Sequence, residues 1–257
     1  MDNQKYIFFI DIDETLVKRN TFKIDNKIID EIKRLKNQGH IFVVSTGRAP
    51  SKTLLIEGIK EFDFIATLFG NLILSSSNLK IIYQGKEINK STILSLKKHF
   101  DSLGTNWEYK TADSQKTFSN DADYLKTTFA KKVSNDEFLS DLENGKIIQL
   151  LVDGHVDEKI IKEYKNLNFY LMPGNYTDVS NLGADKSKCI KFFKEMFPNH
   201  ISVAIGDSSN DIPMFKTAKI SISMGNASDD IKKLTTFVTK PIDDDGLVYA
   251  FKNILKI

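Results

Sequence analysis

The sequence predicts an α/β fold in which a doubly wound, mostly parallel sheet is interrupted by an inserted α+β domain. Short unbroken apolar runs alternate with helical patterns in the first and last parts of the chain. The middle changes to hairpin-like strands, and polar clusters follow directly on three of the apolar runs. Tyr6 to Ile10 is the first run, halted at Asp11, which is the pattern of a strand buried on both faces. Ile28, Ile29, Ile32 and Leu35 then recur at helical spacing, with Asp25 as N-cap and Gly39 placed to end the helix. Ile41 to Val44 reads as a second buried strand. Pro50 opens a helix that the pattern carries through Lys60, and Phe64 to Leu68 is a third strand.

Leu72 to Leu74, a Ser75-Ser76-Ser77-Asn78 turn and Lys80 to Tyr83 form an expected hairpin. From about Gln84 to about Val179 the expected helices are Thr92 to Leu103, Asn135 to Leu142 and Glu158 to Lys165. Strands are expected near Trp107, at Ile147 to Val152, around Phe169 to Met172 and at Tyr176 to Ser180. Residues 84–179 are therefore expected to form the inserted domain, and residues 1–83 with 180–257 the core. Alternation resumes with a helix at Lys186 to Phe197, a strand at Ile201 to Ile205, a short helix at Ile212 to Lys216 and a strand at Ile220 to Met224. Phe237 to Thr239 is a last strand, and Asp243-Asp244-Asp245-Gly246 leads into a terminal helix.

A chain of 257 residues can bury a sizeable core. Lys and Arg total 36 against 34 Asp and Glu, and a formal charge of +2 provides no field that implies nucleic acid or an anionic membrane as partner. The single cysteine, Cys189, cannot close an intramolecular disulfide and reads as a small buried hydrophobe. Met1-Asp2-Asn3-Gln4-Lys5 runs straight into the first strand without a signal-peptide pattern, and no segment has the length of a membrane span. A reducing, cytoplasmic setting is expected, with no obligate protein partner evident. His40, His99, His155 and His200 are scattered without zinc spacing, and no Gly-x-x-x-x-Gly-Lys loop is present.

The chemistry lies in Asp11-Ile12-Asp13-Glu14-Thr15, Ser45-Thr46-Gly47-Arg48 and Gly206-Asp207-Ser208-Ser209-Asn210-Asp211, each following a buried run. Ligand sites in open α/β sheets lie at the carboxyl ends of strands, so parallel, adjacent strands would bring Asp11, Asp13, Thr46 and Asp207 together. Crowded carboxylates require a cation, and a hard divalent ion with oxygen ligands, Mg²⁺ for preference, keeps them ionised. Lys186 adds a fixed positive charge, and the set describes a phosphate site. Asp11 and Asp13 are placed to reach one substrate from opposite sides, one attacking phosphorus and the other handling the proton. Thr46, at a helix start, suits a phosphoryl oxygen. Arg48 reads equally as a substrate contact or a salt-bridge partner. A calcium loop is excluded, because Phe22 stands where its final Glu belongs and its required Gly is absent. Asp243 to Asp245 reads as a capped turn.

In this order, Asp-x-Asp-x-Thr-Leu, Ser-Thr-Gly-Arg, a lysine and Gly-Asp-x-x-Asn-Asp, the motifs resemble the haloacid dehalogenase (HAD) superfamily and most closely its Cof-type phosphatases. Ile222-Ser223-Met224-Gly225-Asn226-Ala227, Asp243 to Gly246 and the position of the insert extend the resemblance. It implies a Rossmann-like core with a cap domain and a phosphatase acting on small phosphomonoesters, sugar phosphates above all. Asp11 would form an aspartyl-phosphate, and Asp13 would protonate the leaving alcohol and then activate water. Mg²⁺ would be held by Asp11, the Asp13 backbone carbonyl, Asp207 and Asp211. Thr46 and Lys186 would bind the phosphoryl oxygens, with Gly47 and Arg48 in the same substrate-binding motif, and Asn210 would order Lys186 or the phosphate. Two departures stand out: Phe69-Gly70-Asn71-Leu72 replaces the usual Asn-Gly-Ala, and Ser208 replaces a glycine. A phosphotransferase or phosphomutase using the same intermediate is an alternative. A non-catalytic phosphate-binding regulator is another, disfavoured by the presence of Asp11 and Asp207. Dehalogenation is disfavoured because it requires neither Asp13 nor a metal.

Overall fold

The computed structural model describes residues 4–19, 21–172 and 174–257; Met1 to Asn3, part of the N-terminus read above, lie outside them. The chain divides into two units. The first comprises Met1–Arg48, Thr53–Tyr83 and Asp185–Ile257, and the second Ala49–Lys52 and Gln84–Ala184. In chain order the first unit begins with β1 (Tyr6–Ile10), α1 (Asn26–Asn37), β2 (Ile41–Ser45), β3 (Phe64–Thr67), β4 (Leu72–Ser75) and β5 (Ile81–Gln84), while α2 (Pro50–Thr53), between β2 and β3 in sequence, falls mostly in the second unit's Ala49–Lys52 segment. The second unit carries α3 (Lys90–Ser102), β6 (Trp107–Lys110), β7 (Gln115–Thr117), α4 (Ala122–Thr127), β8 (Lys131–Lys132) and α5 (Asn135–Glu143). It continues with β9 (Gln149–Asp153), α6 (Glu158–Glu163), β10 (Leu167–Met172) and β11 (Tyr176–Asn181). The first unit resumes with α7 (Ser187–Met196), β12 (Ile201–Gly206), α8 (Ile212–Thr217), β13 (Ile220–Ser223), α9 (Asp229–Lys232), β14 (Phe237–Val238) and α10 (Gly246–Tyr249).

The first unit is built on an eight-stranded sheet of order β14-β13-β12-β1-β2-β3-β4-β5. β1 pairs in parallel with both β12 and β2, so Ile10 lies beside Ile205 on one side and Val44 on the other. β3 and β4 are antiparallel, which a short connection permits and a parallel pair would not. Apolar side chains cover both faces: Phe8 stacks on Phe42 at 4.7 Å with Phe251 edge-on, while Phe9, Cys189, Phe193 and Met214 fill the other side. α1 starts as its sequence indicated, with the Asp25 carboxylate accepting the Lys27 N–H, and the chain leaves it through Gly39 at φ +87°.

The helix expected from Pro50 to Lys60 stops at Thr53. Residues beyond it are drawn off by non-local bonds, Glu57 N–H to the Phe22 carbonyl at 2.7 Å and Ile24 N–H to the Glu57 carbonyl at 3.1 Å. Gly58 at φ +91° then turns the chain into a single 3₁₀ turn at Ile59–Glu61.

In the second unit a six-stranded sheet of order β10-β11-β9-β6-β7-β8 buries Ile93, Leu96 and Phe100 of α3 and Phe138 and Leu142 of α5 with Trp107, Tyr109, Leu150, Val152 and Val179. Strand alternation sends Glu108 and Lys110 to the opposite face. There Tyr124 donates to Glu108 at 2.7 Å and Lys110 pairs with Asp178 at 3.1 Å. This polar face explains why β7, α4 and β8 escape sequence reading: their segment is tied down by hydrogen bonds to Glu108 rather than by an apolar period. Among the described residues no helix is long and apolar enough to cross a membrane.

Candidate active site

β12, β1 and β2 end together, and each delivers one polar loop to the same end of the sheet. The Asp11 N–H bonds the Ile205 carbonyl at 3.0 Å, extending the β1–β12 ladder by one residue and holding Asp11 in the crevice at 4% exposure. The chain then folds back, with the Ile12 carbonyl accepting from Leu16 N–H at 2.8 Å and Val17 N–H at 3.0 Å. This turn places Asp13 toward solvent, its side chain 57% exposed. Arg48 grips it with both arms of the guanidinium fork, Nε to Oδ2 at 3.0 Å and Nη2 to Oδ1 at 2.5 Å.

After β2, Thr46 is buried, and its N–H bonds the Ala66 carbonyl at 2.9 Å while its hydroxyl accepts the Arg48 N–H at 3.1 Å. Gly47 has no space for a side chain, since a Cβ there would lie 2.7 Å from Cε1 of the Phe69 ring. Phe69 occupies the segment that departs from the expected Asn-Gly-Ala, with its backbone at φ +54°.

Lys186, the residue before α7, is wholly buried, and its ammonium sits 2.5 Å from Asp11 Oδ1 and 2.6 Å from Asp211 Oδ1. After β12, Asp211 Oδ2 accepts the N–H groups of Asp207 at 2.9 Å and Ser208 at 3.0 Å, which folds the loop around its carboxylate. Gly206 is required there because a Cβ would overlap that carboxyl group. Asn210 turns its carboxamide oxygen to the Ser208 hydroxyl at 3.1 Å. Thr15, which sequence reading left without a role, donates its hydroxyl to Asp207 Oδ1 at 3.4 Å; its only signal was its place in the Asp-x-Asp-x-Thr run.

Asp11, Asp207 and Asp211 each present a carboxylate oxygen within 4.8 Å of the others. Burial, then the Asp211 charge, pushes the Asp207 carboxyl up to about 7. Burial also raises Asp11 well above its ordinary value, against the pull of Lys186. Burial would depress Lys186, but Asp11 and Asp211 more than reverse it and hold the ammonium above its usual range. The site thus has three carboxylates about one ammonium, and hard oxygen donors in that arrangement fit a divalent cation.

A family model of haloacid dehalogenase-like hydrolases matches residues 8–251. The chain belongs to that family. Its relatives include the Bacillus subtilis protein named "Putative phosphatase YkrA", 29% identical over 98% of both chains. The phosphoglycolate phosphatase of Nitrosopumilus maritimus is 25% identical over 99% of this chain and 98% of its own. Among solved structures, the HAD subclass IIB sugar phosphatase BT4131 superposes with a TM-score of 0.79 over 98% of this chain and 100% of its own, at 22% identity, a likeness of fold. This HAD-type phosphatase has the family's mostly parallel core sheet and an α+β insert.

Proposed function

We propose that this HAD enzyme is a Mg²⁺-dependent phosphatase of small phosphomonoesters, sugar phosphates foremost, working through an aspartyl-phosphate, the acyl phosphate formed on Asp11. The observation that carries the reading is the buried Asp11–Lys186–Asp211 ion cluster with Asp207 at its edge. The ligands of the ion would be Asp11, the Asp13 backbone carbonyl, Asp207 and Asp211. When bound, it would neutralise the excess carboxylate charge and polarise the phosphoryl group.

Asp11 is fixed by Lys186 at one oxygen, so its carboxylate attacks phosphorus from a single rotamer rather than a mobile one. Thr46, with Gly47 behind it, and Lys186 supply donors and charge to the phosphoryl oxygens, and Asn210 supports the loop between Asp207 and Asp211. Asp13, solvent-open and anchored by Arg48, gives a proton to the leaving alcohol and then takes one from the water that releases phosphate. Residues 84–179 act as the cap domain that selects the ester, and residues 1–83 with 180–257 as the catalytic core. The similarity to phosphatases acting on small esters supports this substrate class.

The test is phosphate release from p-nitrophenyl phosphate and a panel of phosphorylated metabolites. Activity should vanish in EDTA and return with Mg²⁺, and Asp11→Asn should leave no more than a trace. Asp13→Asn should lose about two to four orders of magnitude in rate. Full-rate hydrolysis by metal-stripped protein, or an active Asp11→Asn, would sink the proposal.

A further inference from the structure

Two motifs that the sequence singled out, Gly225-Asn226 and Asp243 to Gly246, take no part in the reaction above, yet both meet the catalytic turn. Asn226 is exposed, and its carboxamide bridges two loops. Nδ2 donates to the Glu14 carbonyl at 3.0 Å, and Oδ1 accepts the Ile242 N–H at 3.0 Å. The two loops are pressed together beside it. Gly225 N–H bonds the Lys240 carbonyl at 3.1 Å, and a Cβ on Gly225 would lie 2.6 Å from Pro241 Cδ. Lys18, at the far end of the same turn, pairs with Asp243 at 2.5 Å.

The Glu14 backbone lies at φ +57°, a left-handed conformation that a side chain disfavours and that persists where neighbouring structure holds it. Within the turn, Glu14 N–H bonds the Val17 carbonyl at 2.9 Å. Outside it, Asn226 holds the Glu14 carbonyl. The peptide so held, Glu14–Thr15, lies one residue beyond Asp13, whose carboxylate must meet the leaving oxygen. We propose that Asn226 is a positioning residue, coupling the C-terminal turn to the catalytic turn so that Asp13 keeps its reactive placement. The inference rests on the phosphatase reading.

Because Asn226 is exposed, its replacement should leave the core packed. Asn226→Asp keeps an acceptor for the Ile242 N–H but has no donor for Glu14, whereas Asn226→Ala loses both. With p-nitrophenyl phosphate, Asn226→Asp should lower kcat roughly tenfold, the weight of one positioning hydrogen bond. KM should stay within about twofold, since the phosphate contacts sit on other loops, and the melting temperature should stay within about 2 °C. Glycine adopts φ +57° without steric cost, so in a Glu14→Gly background the same replacement should lower kcat only about twofold.

Unchanged kcat in Asn226→Asp, a loss that follows melting temperature, or an undiminished loss in the Glu14→Gly background would overturn the proposal. So would failure of both Asn226 variants to fold, which would make the residue structural. Wild-type protein inert toward every phosphomonoester overturns the phosphatase reading itself, whereas an active wild type with an indifferent Asn226 overturns this inference alone.

Discussion

Replacing Lys186 by methionine removes one charge from the buried cluster while keeping most of the side-chain stem. The ammonium lies 2.5 Å from Asp11 and 2.6 Å from Asp211, and all three groups are shielded from water. At an effective dielectric of about 20 each contact is worth roughly 6 kcal/mol of Coulomb attraction. Desolvation of the ions offsets much of this, and breaking such a cluster by deleting one partner costs about 3–5 kcal/mol. For a chain of this size that is a fall of roughly 6–20 °C in melting temperature. The assay is thermal unfolding in EDTA at pH 8 and pH 5. Asp207 titrates at about 7 in the folded protein, above its unfolded value near 4, so its contribution to stability is present at low pH and lost as pH rises through about 7. Metal-stripped protein should therefore be less stable at pH 8 than at pH 5 as far as this site is concerned, and Mg²⁺ should restore more stability at pH 8. The Lys186→Met deficit should shrink toward low pH, because burial already favours the protonated form of Asp11 and the stranded carboxyl can take up a proton. A variant melting within about 2 °C of wild type at pH 8 in EDTA would refute the electrostatic account of the cluster.

Gly47→Ala should destabilise the protein by about 1–3 kcal/mol and slow turnover, because its methyl group meets the Phe69 ring. Phe69→Ala in the same chain should recover part of the turnover, which steady-state kinetics of the three variants will show. His40 accepts the Tyr6 N–H at 3.0 Å through Nδ1, and burial, with nearby Lys5, pulls its pKa down to about 4. Its neutral form is thus required by the fold, so the His40 contribution to stability should be constant above about pH 6.5 and decline as pH falls toward 4. Denaturant titrations of wild type and of His40→Gln, which does not titrate, should show that contribution as a difference between the two that changes across this range and is constant above it.

The local sequence determined the core strands that carry the site and the positions of the acidic loops. Tyr6 to Ile10 and Ile41 to Val44 are unbroken apolar and aromatic runs, and Ile201 to Ile205 carries one polar residue, Ser202, at its half-buried start, as a strand buried on both faces requires over its buried length. Asp11, Thr46 and Asp207 follow them directly, so parallel pairing was enough to bring residues far apart in the chain to one crevice. Three other features were decided only by the tertiary structure. Lys186 stands just before a helix that carries several more lysines, and what sets it apart is its complete burial between Asp11 and Asp211, which no local pattern encodes. The Arg48–Asp13 ion pair exists only because the turn after β1 places Asp13 against the Arg48 fork. The chain after Thr53 left its helical pattern because Phe22 and Ile24, remote in sequence, offered backbone partners to Glu57. Periodicity reports how a segment meets an apolar core, whereas contacts between polar groups distant in sequence leave no period, and their cost or benefit is fixed only when the fold brings the partners together.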